Sequence, residues 1–515
     1  MSEMPRKAPI ATLAVTLLIV ASSGLLVACG SSSSNGEPVS YNGSGYPNGD
    51  LANTRNANGS IDATNVKQLQ TAWTAPIRGE SAFGSYASSP IVSKGVVYSQ
   101  DLASNVQAIE AESGEVLWTK SYELPSLGPN GIVVQDGHVF GATPTATFAL
   151  DQKTGKELWS TTLTRNEVEG IDIAPGYNDG IVYASTVPAN ASSLYEAGGA
   201  GILWALDAKS GKKLWHFDTV PTSLWGKQNV NSGGGVWYTP AFDGKGFMYF
   251  GVGNPAPFPG TEKEPWGSSR PGPNLYTNSI VKMNAKTGKM QWYFQLNPHD
   301  IYDWDLQGPP ILIDSGGREL VVAAGKVGVV VALDPKTGKL VWKRAVGKHN
   351  GHDEDGAYAM RGDYSKLKAQ MEIYPGNLGG VIAPMSTDGS RVFVPVVNHP
   401  VTVNAGAAIE EASSVNAGEI VALNAKTGAI EWKHEFPLAP AFGATTVSND
   451  LVFATTYDGN VHAYETKSGA LAWQSKLPAG TNAGVTVAGD TLIAPAGVAA
   501  AEGQTPQIVA YRLGG

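Results

Sequence analysis

Short runs of alternating apolar residues recur along this chain. Gly95-Val-Val-Tyr-Ser99, Phe247-Met-Tyr-Phe-Gly251, Arg391-Val-Phe-Val-Pro395 and Leu451-Val-Phe-Ala454 are the clearest, and their patterning predicts strands. Each is followed by a variant of A-x-D-x-K-T-G-x-x-x-W. The phrase occurs seven times, ending at Trp118, Trp159, Trp215, Trp292, Trp342, Trp432 and Trp473. Its A-x-D piece ends a strand, Lys-Thr-Gly or Lys-Ser-Gly supplies a turn whose glycine tolerates positive φ, and the next strand carries the Trp. A large ring at one fixed register predicts packing between neighbouring units, so these seven Trp are architecture rather than ligand contacts. Repeats of about 40 residues built from short strands predict an all-β, W-motif β-propeller.

An eighth Trp, Trp73, closes Leu-Gln-Thr-Ala-Trp with no phrase before it. The last segment, Gln507-Ile-Val-Ala-Tyr-Arg-Leu513, has the strand ending but no Trp strand after it. Together they predict eight blades, with the strand of Trp73 completing the last one. The wide gaps, from Trp159 to Trp215, Trp215 to Trp292 and Trp342 to Trp432, must hold insertions, expected on one working face.

Composition narrows the setting. The chain has 62 Gly and 32 Pro with 16% charged residues, which suits many tight turns and argues against disorder. A net charge of −9 without basic clusters gives no reason to expect nucleic acid as a partner. Arg6 and Lys7 precede an apolar run, Ala11 to Val27, that stops at Leu26-Val27-Ala28-Cys29. This reads as a secretory signal over residues 1–28 and resembles the lipobox of bacterial lipoproteins, in which the cysteine becomes the lipidated first residue. Residues 29–44 then form a Ser/Gly-rich tether, and 45–515 the propeller. Cys29 is the one cysteine in the sequence, so covalent haem attachment through C-x-x-C-H is excluded.

Three clusters stand apart from the blade phrase: Glu196-Ala-Gly198-Gly-Ala-Gly201, then Gly233-Gly234-Gly235-Val-Trp237 with Gly251-Val-Gly253-Asn254-Pro255-Ala-Pro257, and Pro298-His299-Asp300-Ile-Tyr302-Asp303-Trp304-Asp305. With the phrase and the eightfold count they resemble the quinoprotein dehydrogenases, which bind pyrroloquinoline quinone (PQQ) over the axis of an eight-bladed propeller. The resemblance runs from about Tyr41 to the C-terminus. It implies an oxidoreductase acting on an alcohol, polyol or sugar hydroxyl. It implies that Glu196, Asn254, Asp303 and Asp305 surround a metal ion, that Trp237 is the floor under the quinone, and that Gly234 and Gly235 let backbone crowd the cofactor. Asp303 would be the general base and Lys326 the cation on the reactive quinone oxygen. Oxygen ligands suit a hard cation; Asp305 points to a lanthanide without excluding calcium. Electrons would pass to a separate cytochrome or membrane quinone, and the lipid would tie the protein to a membrane on its extracytoplasmic side.

The sequence also departs from the family. Where alcohol-oxidising relatives often carry adjacent cysteines, this chain reads Leu127-Gly-Pro-Asn-Gly131. Asp172 stands where relatives tend to have Thr, placing like charge beside a tricarboxylate cofactor. Tyr302 replaces a Trp. His349-Asn-Gly-His352-Asp353-Glu354-Asp355 reads as a solvated loop rather than a second metal site. Propellers also serve as non-catalytic protein-binding scaffolds, and the three clusters are what separates an enzyme from that alternative; a degenerate member that has lost its cofactor is a further alternative, for which Asp172 and Tyr302 would speak. Primary and secondary alcohols, polyols, poly(vinyl alcohol) and aldoses all remain open as substrates.

Overall fold

The repeated phrase folds as a capped turn. Asp151 ends a strand, and its carboxylate accepts from the Thr154 backbone N–H (2.9 Å) and hydroxyl (2.7 Å). Asp334 serves Thr337 in the same way, and Asn284 serves Thr287. A short polar side chain bonding to backbone just ahead of it stabilises such turns, which explains its fixed place in the phrase. Gly155 then takes φ +68, and a bulge between Glu157 and Trp159 re-aims the strand that follows.

Each turn meets the tryptophan of the preceding blade. A Cβ on Gly155 would lie 2.5 Å from the Trp118 ring, and one on Gly428 would lie 2.5 Å from the Trp342 ring. The indole N–H donates to a carbonyl of the same turn, Trp118 to Gln152 (3.2 Å) and Trp342 to Ala425 (3.0 Å). Trp73, Trp159, Trp215, Trp292 and Trp432 repeat the pattern. One phrase therefore carries both halves of the joint: the glycine seat for the neighbour behind and the ring for the neighbour ahead. Trp473 has no phrase after it and instead meets the Tyr511 ring edge-on at 5.6 Å.

The computed structural model describes residues 43–514, apart from 58, 406–409 and 412–416. The expected leader, Cys29 and nearly all of the tether lie outside the described residues. Eight sheets of four antiparallel strands follow one another, the seventh extended by a short parallel strand at Asn56–Ala57: 91–120, 133–162, 176–218, 241–295, 311–345, 386–436 and 446–476 (blades 1 to 7), with blade 8 joined from 486–513 and 69–76. Trp73 pairs opposite Ala510, so the two ends of the chain close the ring as expected. Middle strands are covered by both neighbouring blades and read almost continuously apolar, as in Val329–Leu333. Outer strands alternate, as in Glu157–Thr162, because one face is wet. Apolar contact between blades forms the core: Val322, Val330 and Ala332 of blade 5 pack with Val392, Val394 and Val421 of blade 6.

The candidate residues sit before a blade's first strand (Trp237, Asp303, Asp172) or after its second (Glu196, Asn254, Lys326). In an up-and-down blade those two connections share one end, and the insertions lie there too. Residues 45–60 run along the first strands further down: Gly45, Leu51, Ala52, Thr54 and Arg55 each accept a backbone N–H, from blades 2, 4, 5, 6 and 7 in turn. Buried Arg55 adds bonds to Thr445 O (2.6 Å), Thr446 Oγ1 (2.8 Å) and Val485 O (3.2 Å).

Candidate active site

The floor is built by glycines that let the chain touch itself. A Cβ on Gly235 would meet Val187 at 2.8 Å and Trp237 Nε1 at 2.9 Å; one on Gly253 would meet Asp305 Oδ1 at 2.5 Å and Trp237 Nε1 at 3.0 Å. At Gly234, with φ +77, the obstacle is Thr219 Oγ1 at 2.3 Å, a hydroxyl that donates to Gly234 O. Gly234 and Gly235 were expected to admit the cofactor. Their Cβ positions are filled by the protein, closing on Val187, Thr219 and half-buried Trp237.

The loop carrying Asp303 is held in an uncommon conformation. Asp303 has φ +63, a region disfavoured for a residue with a Cβ. Asp300 braces it by accepting from the Tyr302 N–H (2.9 Å) and the Trp304 N–H (2.7 Å). Buried Arg270 donates to Asp300 O (2.8 Å) and Pro257 O (2.9 Å), joining this loop to the one after Asn254. The Trp304 indole donates to Pro375 O (2.9 Å).

Asp303, Asp305 and Lys326 converge here. Lys326 Nζ lies 2.9 Å from Asp303 Oδ2 and 2.7 Å from Asp305 Oδ2, with side chains only 12%, 7% and 1% exposed for Lys326, Asp303 and Asp305. Asp305 Oδ1 accepts the Asn254 N–H at 2.7 Å. Each Asp305 oxygen thus has one partner within the protein, and the side chain ties Asn254 to Lys326. Burial drives the Asp303 carboxyl well above its ordinary range, against the pull of Lys326, and Asp305 and Asp300 push it further. Burial draws the Lys326 ammonium down, but Asp303 and Asp305 outweigh it and the net shift is upward.

Two carboxylates share one ammonium, which leaves excess negative charge in a buried place. Nearby, Asn254 Oδ1, Asp303 Oδ1 and Trp237 Nε1 are buried without a hydrogen-bond partner. One such group costs about 1–3 kcal/mol, and a set converging on one chamber indicates a missing ligand. Two orphaned oxygens with surplus negative charge fit a hard cation; an aromatic face with an unpaired N–H fits a planar polar molecule. Glu196 does not join them. It is exposed, and among the described residues no group of three or more acidic, His or Cys side chains is placed to hold a metal. Its neighbour Tyr195, at φ +56, is half-buried and meets the Phe258 ring edge-on at 5.0 Å. Burial and then the charges of Asp303, Asp305, Asp300 and Asp172 raise the Tyr195 phenol.

The 349–355 segment is solvated at Asn350, Gly351, Asp353 and Glu354, as expected, but its last residue is buried. Asp355 is 5% exposed; its Oδ2 accepts the Tyr302 hydroxyl at 2.6 Å and pairs with His352 Nδ1 at 2.7 Å. The hydroxyl that distinguishes Tyr302 from Trp is what Asp355 holds. Arg270, Tyr195 and the Asp355–His352 pair were not assigned to the site from sequence. Only the acid–histidine cluster carried a signal, and it lacked its partner, 53 positions upstream.

The family profile described as "Glucose/ethanol/alcohol dehydrogenase, beta-propeller domain" matches residues 46–137 and 170–343, over half of the chain. A second, "Outer membrane protein assembly factor BamB", matches residues 370–514. The quinohemoprotein alcohol dehydrogenase of Comamonas testosteroni is 30% identical over 69% of this chain and 54% of its own length. The crystal structure of a Comamonas testosteroni quinohemoprotein alcohol dehydrogenase superposes with TM-score 0.77 at 25% identity, covering 92% of this chain and 81% of that one. A europium-containing methanol dehydrogenase shares the fold, with TM-score 0.76 at 20% identity over 93% of this chain and 98% of that one. The chain spans about half the length of the curated relatives it matches first.

Proposed function

The chain belongs to the glucose/ethanol/alcohol dehydrogenase β-propeller family, and from that premise we propose that it is a quinoprotein dehydrogenase oxidising an alcohol, polyol or sugar hydroxyl. The observation that carries the reading is the convergence of orphaned Asn254 Oδ1, Asp303 Oδ1 and Trp237 Nε1 beside the Lys326–Asp303–Asp305 cluster. PQQ over Trp237, with calcium or a lanthanide at Asn254 and Asp303, would supply a two-electron acceptor and Lewis acidity.

The chain's own groups do the rest. Asp303 takes the proton of the substrate hydroxyl on a carboxylate lone pair that neither Lys326 nor the cation occupies. Burial raises its basicity, while Lys326 on Oδ2 keeps the carboxylate oriented. Lys326 stays charged because two acids face it, so it can stabilise negative charge that develops in the chamber. Trp237 fixes the plane of the ring above it. Asp305 positions Asn254 by its backbone, and Tyr302 and Trp304 pack behind the base and exclude water. Glu196 would enter the ligand set only by turning over the exposed segment that carries it. Electrons would pass to a separate cytochrome or membrane quinone. Export and lipidation at Cys29 belong to the same proposal and would place the enzyme beside such an acceptor.

A second reading, a protein-binding envelope scaffold without cofactor, is favoured by the match of residues 370–514 to the assembly-factor profile. Titration of the purified protein with PQQ, followed by tryptophan fluorescence with calcium, with lanthanum and with neither, separates the two. Saturable, metal-dependent quenching lost in Asn254→Ala supports the dehydrogenase. A flat response under every metal sinks it in favour of the scaffold.

A further inference from the structure

The two departures from the family in blades 2 and 3 meet in space. Asp172, fully buried ahead of the first strand of blade 3, accepts from the backbone N–H groups of Leu127 (2.9 Å) and Gly128 (3.1 Å) through Oδ1. Its own carbonyl accepts the Asn130 N–H at 2.7 Å. One acid therefore clasps the loop 127–131 from two sides. That loop stands where the family resemblance puts cysteines against the quinone, and here it is latched by a carboxyl instead.

The second oxygen of Asp172 has no partner. Oδ2 is buried and unbonded, as is Asn130 Oδ1 beside it. Asp172 is among the acids, with Asp303, Asp305 and Asp300, whose charge raises the Tyr195 phenol. The groups around Asp172 are few. On its own segment Glu169 is paired with Arg165. Beneath Asn130 lies the Asp101 carbonyl, which accepts Asn130 Nδ2 at 2.7 Å. Lys326 is taken by Asp303 and Asp305. Among the described residues no cation pairs with Asp172.

We propose that Asp172 is a cofactor-binding residue peculiar to this chain: in its protonated form it locks the 127–131 loop and offers Oδ2–H to a carboxylate of the bound quinone. This rests on the quinoprotein reading above. An ionised Asp172 would oppose a tricarboxylate ligand, whereas a neutral one donates to it. Burial pushes its carboxyl up to about 7, against the two loop amides, so the neutral form is available near neutrality. The consequence is cofactor loading that weakens as pH rises: if only the protonated form binds, affinity falls about tenfold between pH 6 and pH 8.

The test is the fluorescence titration of the full chain with PQQ at fixed calcium, at pH 6 and pH 8. The native protein should bind about tenfold more weakly at pH 8. Asp172→Asn keeps an acceptor for the loop amides and carries a permanent donor, so it should bind equally at both pH values, near the native pH 6 affinity. Asp172→Ala should bind more weakly at both, with faster amide exchange at Leu127 and Gly128, while the melting temperature of Asp172→Asn checks the fold. A pH slope in Asp172→Asn equal to that of the native protein would overturn the assignment, as would a native affinity independent of pH. Absence of any quenching in the native protein would overturn the quinoprotein reading itself, and the role of Asp172 with it.

Discussion

The rim of the wheel and its axial chamber are built from the same kinds of loop, yet they obey opposite rules. At the rim, seven Trp joints repeat one solution: ring against glycine, indole N–H on a carbonyl. In the chamber no solution repeats. Two carboxylates share one ammonium, a carboxylate sits on a left-handed backbone, and several polar atoms are buried without partners. The rim lowers its own free energy; the chamber stores a cost that only a ligand can offset. Where a fold leaves strain and unmet hydrogen bonds together, chemistry is the economical explanation.

The contrast can be broken first at the base. Asp303→Asn keeps the volume but removes the proton acceptor, so turnover should fall on the order of a thousandfold while the melting temperature stays near native or rises. A variant that oxidises substrate at the native rate would remove Asp303 from its role. At the rim the reverse is expected. Trp342→Ala empties a joint that is 9% exposed and should cost about 3–5 kcal/mol in urea unfolding, leaving PQQ affinity unchanged.

Acidity gives a smaller and two-sided effect. Burial pushes His299 and His462 down to about 4. Below pH 6.5 the unfolded chain binds protons that the folded chain refuses, so stability drops as pH falls toward 4, by roughly 3 kcal/mol per histidine. Asp172 acts with the other sign. Its folded form keeps a proton that the unfolded chain has shed, so its contribution declines as pH rises from about 4 to about 7. Melting curves of His462→Asn and Asp172→Asn across this range should flatten opposite limbs. The smallest expected change is Tyr302→Phe, which deletes one hydroxyl bonded to Asp355. It should lower kcat about tenfold, the equivalent of one hydrogen bond, with KM unchanged, because the base loop loosens while the binding surface stays. An equal loss of stability with no change in kcat would make the Asp355 contact merely structural.

Some of the chamber was legible and some was not. Trp237, Asn254, Asp303 and Lys326 come together where the motifs indicated. Glu196 does not: it is exposed, beside Tyr195 at φ +56, and no motif carries a backbone angle. Asp305 was expected as a ligand from the family resemblance; its two oxygens are bonded to Asn254 and Lys326, partners that come from other loops. Asp355 and His352 looked like solvated loop because their partner, Tyr302, belongs to another blade's edge.

The sequence by itself determined the wheel: the blade count, the turn in every phrase, the glycine that seats each tryptophan, and the strand that closes the ring. These are local, periodic features, and each repeat meets only its neighbours, so the pattern along the chain is already the pattern in space. Tertiary structure alone decided which acids share a lysine, which carboxyl latches the 127–131 loop, and which polar atoms are left without partners. Those outcomes depend on residues from several blades competing for the same donors in a place water does not reach, and one-dimensional spacing holds no record of that competition.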